Sequence, residues 1–191
     1  MQEVLLLRVV GAINHFLLPS MLIALFIWGI WFFLFLSKKK DVDIRLWGSR
    51  YIFLTYIASV FMVTDAYKVF IEGIPTFFME ANLIPFFNTI SDIIANPFNT
   101  MEQIGYNFIL FIPFGFLIVI SYPDYKWRLR KIVIITFMVV LVVEILEYLS
   151  GRYMDIDDIF INICGSVFGY IIYNVTYKLY NKVYSHIKKR A

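Results

Sequence analysis

The sequence predicts an all-α protein, a polytopic bundle of about five transmembrane helices forming a single membrane domain over residues 1–191. Three observations carry that reading. Of the 191 residues, 61% are apolar, against roughly 45–50% in soluble domains. Only 16% are charged, against roughly 25% in a typical soluble chain. Long apolar runs also alternate with short polar stretches, and the runs show no period of two. In lipid each backbone group must be satisfied internally, so only helices or closed barrels span; unalternating runs select helices.

The first span falls within Val9–Leu36. It is too long for a signal-peptide core and is followed by Trp28, Trp31 and Lys38-Lys39-Lys40 without a small-residue cleavage site, so it reads as a retained span. The second covers about Tyr51–Ile71, the third Ile104–Ser121, the fourth Ile132–Tyr148 and the fifth Ile159–Tyr180. Each is near the roughly 17–25 residues that cross a hydrocarbon core. Asp65 and Lys68, one turn apart near the outer end of span two, read first as a local ion pair.

Lys and Arg set the orientation. The loops after spans one and three and the C-terminal tail hold fourteen of the seventeen, among them Arg45, Arg50, Lys126, Arg128, Arg130 and Lys131. The alternate side has only Arg8, Lys68 and Arg152. The excess of Lys and Arg on cytoplasmic loops therefore places the N-terminus outside and the C-terminus inside. Trp28, Trp31, Trp47 and Trp127 fall near the cytoplasmic ends, as interfacial anchors would. Between spans two and three, Glu72–Gln103 has no Lys or Arg. There Phe86, Phe87, Ile90, Ile93 and Ile94 recur at helical spacing between Pro85 and Pro97, predicting a short amphipathic external helix.

With that topology, polar groups from separate stretches reach one level near the outer surface. Glu144 and Glu147 share a face in the outer third of span four, followed by Arg152. Asp155, Asp157 and Asp158 precede span five, Asn162 lies in its first turns, and Asn107 lies at a similar depth in span three. Intramembrane ionisable groups cost roughly 2.5–3.5 kcal/mol at mid-helix and normally face a bundle interior or an aqueous cavity. Plainer roles stand beside a functional one: Asp157 or Asp158 can cap span five, Glu147 can be a solvated helix-end charge, and Arg152 can balance the acids. Gly165-x-x-x-Gly169 is a spacing for close helix packing, where Asn162 can bridge by hydrogen bonds. Pro113 in span three removes one backbone hydrogen bond and is expected to kink the helix, with Gly115 next to it.

Cys164 is the only cysteine, so no intramolecular disulfide and no Cys-based zinc site forms. His15 and His186 are far apart in sequence, and there is no phosphate-binding glycine loop or nucleophile–His pairing. The basic tail suits anionic inner-leaflet lipid better than nucleic acid. No resident cofactor is expected; Asp155, Asp157, Asp158 and Glu144 offer the hard oxygens that Mg²⁺ or Ca²⁺ would take.

Four stretches resemble the VanZ-like membrane proteins, the family named for a teicoplanin-resistance protein. They are Asn82-Leu83-Ile84-Pro85-Phe86; Asn107 to Gly115 with Phe111 and Pro113; Glu144 to Arg152; and Asp157-Asp158 through Asn162 to Gly165 and Gly169. The resemblance covers about residues 80–175. Where the family commonly shows Glu-x-x-Gln, this chain has Glu144-x-x-Glu147. Two such carboxylates on one face can share a proton or a cation. The resemblance implies a multi-pass protein of the bacterial plasma membrane, with a role in envelope-level tolerance to lipoglycopeptides such as teicoplanin. Two function classes stay open: a protein that binds or modulates an outer-leaflet amphiphile, such as a lipoglycopeptide or a lipid-linked wall intermediate, and a membrane enzyme acting on such a lipid. A transporter ranks last, because few polar groups fall in the inner halves of the spans. The catalytic residues, if any, and the oligomeric state stay open.

Overall fold

A computed structural model describes residues 18–36 and 43–188. Val9–Leu17 of the expected first span lies outside the described residues, as do Arg8, His15, Lys38, Lys39, Lys40, Lys189 and Arg190. The described elements run α1 (Leu18–Leu36), α2 (Ile44–Val63), α3 (Lys68–Ile71), β1 (Ala81–Asn82), α4 (Phe87–Ala95), α5 (Pro97–Ser121), α6 (Leu129–Leu149), β2 (Met154–Asp155) and α7 (Ile156–Lys188). β1 and β2 form a two-stranded ladder. Four helices, α2, α5, α6 and α7, are long and apolar enough to cross a membrane. α1 is apolar apart from the buried Ser20 and carries no charged residue over its described length.

Helix ends differ from the sequence expectation where local chemistry decides them. The second helix begins earlier than Tyr51, because the Asp43 carboxylate accepts the backbone N–H groups of Arg45 and Leu46 and caps it there. It stops at Val63 instead of Ile71. Asp65 has a left-handed backbone (φ 60°), and the chain turns before the single-turn α3. The third begins at Pro97, where a proline loses no intrahelical bond. Asn107 consequently lies about three turns inside α5 and not at its start. The helix continues past Pro113 to Ser121.

Packing groups the chain into two compact units, Met1–Ala81 with Val142–Met154, and Asn82–Leu141 with Asp155–Ala191. In the first unit α1 and α2 run antiparallel and meet through aromatic rings. Trp28 donates its indole N–H to the Trp47 carbonyl at 3.0 Å, and Trp28, Trp31 and Phe32 surround the Trp47 ring at 5.1–6.0 Å. Trp47 is only 4% exposed, so this tryptophan packs between helices instead of standing as a free interfacial anchor. Arg50 lies over the Trp31 and Trp47 rings at 5.5 and 5.6 Å.

In the second unit α5 and α7 run parallel, backbone against backbone. A Cβ placed on Gly165 would collide with the Phe108 carbonyl, one on Gly169 with the Ile112 carbonyl, and one on Gly115 with the Ser166 carbonyl. Their missing side chains are what lets the two helices approach. α6 joins them through a buried hydrogen bond of 2.7 Å between the Thr136 and Ser166 hydroxyls.

Candidate functional site

The second unit gathers six of the residues singled out by sequence, and hydrogen-bonds five of them around the start of α7, Asn82 and Asp157 to Asp155 and Asn107 to Asp158. Asp155 stands immediately before α7, and its Oδ1 accepts the Asp157 backbone N–H at 2.9 Å. The cap on α7 thus falls to Asp155, not to Asp157 or Asp158. The same oxygen accepts the Asn82 side-chain amide at 3.0 Å. Asn82 Oδ1 in turn accepts the Ile84 N–H, fixing the turn that leads to Phe86. Burial, then the charges of Asp157 and Asp92, hold the Asp155 carboxyl above its ordinary range, while the Asp157 N–H and the Asn82 amide pull the other way.

Asp157 is freed for a longer reach. α4 begins after Phe86, which has a left-handed backbone (φ 62°) and no side-chain oxygen to cap the helix. Asp157 supplies the cap from a distant part of the chain: one carboxylate oxygen accepts the Phe86 N–H at 2.8 Å, and the other accepts the Thr89 hydroxyl in a short hydrogen bond. Its negative charge also suits the positive end of α4. At 2% exposure, Asp157 is a buried side chain held by neutral donors. Asp158 accepts the Asn107 amide at 2.5 Å, tying the start of α7 to the middle of α5. Asn162, one turn further along α7, is 4% exposed, and its Oδ1 accepts no hydrogen bond.

The remaining candidates belong to the first unit. Glu144 is 3% exposed on α6. Glu147 is not a free solvated charge: the Arg152 guanidinium lies 3.4 Å from it, 3.8 Å from Asp65, and donates to the Thr64 carbonyl at 3.3 Å. Lys68 completes the chain of charges at 2.9 Å from Asp65, the expected local pair. That hydrogen bond holds the Lys68 ammonium above its ordinary range.

Sequence reasoning missed Thr89, the tie from Arg152 to Asp65, and the Thr136–Ser166 bond. Thr89 had no local signal, because its hydroxyl donates to a carboxylate 68 residues further along the chain. Among the described residues no three Asp, Glu, His or Cys side chains are grouped to hold a metal ion. The carboxylates of Asp155, Asp157 and Asp158 take donors from their own chain.

Beside this network lies an apolar groove of about 450 Å³ between the first half of α5 and the first turns of α7. Phe86 and Phe160 stack at 5.9 Å on one wall, Gly105 and Phe108 lie on another, and Cys164 stands exposed in it.

Long apolar helices, three of them packed through glycine contacts and a hydroxyl pair, with carboxylates and amides tying the start of α7 to α5 and to the α4 turn, define a polytopic helical membrane protein. Within that class the chain belongs to the VanZ/LLP1 family, whose model matches residues 21–177. No curated protein and no solved structure matches the chain.

Proposed function

We propose that this protein is a five-span protein of the bacterial plasma membrane that binds or modulates an amphiphile at the outer leaflet, giving envelope-level tolerance to lipoglycopeptides such as teicoplanin. The N-terminus is outside, the C-terminus inside, and α4 is the external amphipathic helix. The observation that carries the reading is the polarity of the second unit. Asn82, Asn107, Asp155, Asp157 and Asp158 form hydrogen bonds around the starts of α4 and α7 and about three turns into α5. The basic residues of the unit lie beyond the other end of α5, from Lys126 to Lys131, and in the last turns of α7, from Lys178 onward. The cytoplasmic preference of Lys and Arg then turns the network outward. Family membership supports the envelope role.

The test is teicoplanin susceptibility of a sensitive Gram-positive host carrying an empty vector, the wild-type gene, Asp158→Asn or Glu144→Gln, with membrane levels matched by an epitope tag. Tolerance with wild type and its loss with Asp158→Asn is the expected result. A well-expressed wild type that gives no tolerance overturns the drug assignment. Full tolerance from both variants overturns the polar site. Glu144→Gln, read separately, reports on the buried acid of the first unit.

A further inference from the structure

We infer that the groove between α5 and α7 takes the acyl chain of an amphiphile whose head carries a protonated amine, with the acids at the outer rim selecting the head. This deepens the proposed function and rests on its outward orientation. The groove is apolar, and it lies in the first halves of two helices of membrane-spanning length. From Met101 to Phe108 it extends about 10 Å along α5 at the helical rise. Its volume falls within the range of about 300–1,000 Å³ typical of small-molecule sites. In a bilayer the occupant matching such a surface is a hydrocarbon chain.

Charge complementarity fixes the head. No Lys or Arg occurs from Val69 to Tyr125 or from Tyr153 to Tyr177. Near the groove stand the exposed acids Asp92 and Glu102, together with the half-buried Asp155 and Asp158 and the buried Asp157. Three of them, Asp157, Asp158 and Glu102, adjoin the groove through single residues. The Phe86 ring lines it, and the Phe86 N–H is bonded to Asp157. Phe108 lines it next to Asn107, which holds Asp158. Glu102 is exposed on α5 between the lining residues Met101 and Gly105, and accepts the Tyr106 hydroxyl, a donor that brings no positive charge. An anionic rim above an apolar slot attracts a cationic head and repels a phosphate or carboxylate one.

Gly105 provides a clean way to close the groove, since a Cβ there would meet no atom within 4 Å. The test uses the full chain in phosphatidylcholine nanodiscs, which expose both faces and require no drug phenotype. Stearylamine and stearic acid, each with a diazirine in the chain, are photolysed separately, and labelled peptides are read by mass spectrometry. The amine is expected to label the peptides holding Gly105–Phe108 and Phe160–Cys164 about tenfold more than the acid does. Gly105→Leu, with helicity unchanged by circular dichroism, removes that labelling. Asp92→Asn with Glu102→Gln brings amine and acid to parity while the chain site persists. Equal labelling by the two probes in wild type overturns the proposal, as does labelling spread evenly over the lipid-facing helices. Labelling unaffected by Gly105→Leu, or replaced by crosslinks between two copies of the chain, overturns it too. Because the assay reads neither drug tolerance nor topology, its failure is separable from failure of the proposed function.

Discussion

The contacts α1–α2 and α5–α7 solve one problem by opposite means. Lipid tails are as apolar as a leucine side chain, so helices in a membrane associate through close packing and polar contacts and not through escape from water. α1 and α2 fill the space between them with rings, centred on Trp47. Their glycines, Gly29 and Gly48, have nothing within 4 Å of the point where a Cβ would stand. α5 and α7 remove the space, setting Gly115, Gly165 and Gly169 against carbonyl groups of the facing helix. The same residue type is incidental in one contact and required in the other. The polar network stands at the close contact, where the short backbone separation lets amide and carboxylate side chains such as Asn107 and Asp158 meet directly.

That contrast is broken most sharply by one substitution made in both places. Gly165→Ala and Gly169→Ala are each expected to cost about 3 kcal/mol or more, because the obstacle is backbone that cannot move without parting the helices. Gly29→Ala and Gly48→Ala are expected to change stability by less than about 1 kcal/mol, toward greater stability, by helix propensity alone. Unfolding in mixed micelles, followed by tryptophan fluorescence, reads both pairs. Equal losses at all four positions would erase the distinction.

Next in size is Asp157→Ala, which strips the acceptor from the Phe86 N–H and the Thr89 hydroxyl. A loss of about 1–3 kcal/mol is expected, with faster proteolytic nicking within residues 82–95. Nicking unchanged from wild type would mean that the α4 turn holds itself. On the aromatic side, Trp47→Ala is expected to cost about 1–2 kcal/mol, the scale of ring pairs and a hydrogen bond, and to leave residues 82–95 as resistant as before.

The smallest effect is a pH dependence. Both donors to Asp155 use Oδ1, so Asp155→Asn can keep both hydrogen bonds while losing the charge. The folded carboxyl binds its proton more tightly than the unfolded one, whose ordinary value is 3.8. Its stabilising contribution is therefore present below that value and is lost as pH rises through the folded pKa. Asp155→Asn should be the more stable protein at pH 7, with the difference shrinking as pH falls toward 4. A difference constant over that range would contradict the burial of Asp155.

Much of this architecture was legible in the residues. Hydropathy located the four long helices, because lipid requires continuous apolar runs. Gly165-x-x-x-Gly169 announced a close contact, because only glycine permits one at that spacing. The helix ends were less legible. Asp65 in a left-handed conformation and Pro97 at a helix start are local backbone choices that an apolar average passes over. Least legible was who pairs with whom. The sequence pointed to the right carboxylates at the start of α7, but offered Asp157 or Asp158 as its cap where Asp155 makes it. It had no means of placing Phe86 and Thr89 under Asp157, since that contact joins residues about seventy apart in the chain.

The central claim is that the Asn82–Asp158 network faces outward, and its most direct test is thiol topology in intact cells. In a Cys164→Ser background, Ala95→Cys marks the end of α4 and Ser185→Cys marks the far end of α7; both positions are exposed. The account expects a membrane-impermeant maleimide to label the Ala95→Cys protein in whole cells, and the Ser185→Cys protein only after the membrane is opened. Labelling of Ser185→Cys in whole cells, with Ala95→Cys protected until lysis, would place the network in the cytoplasm and contradict the account.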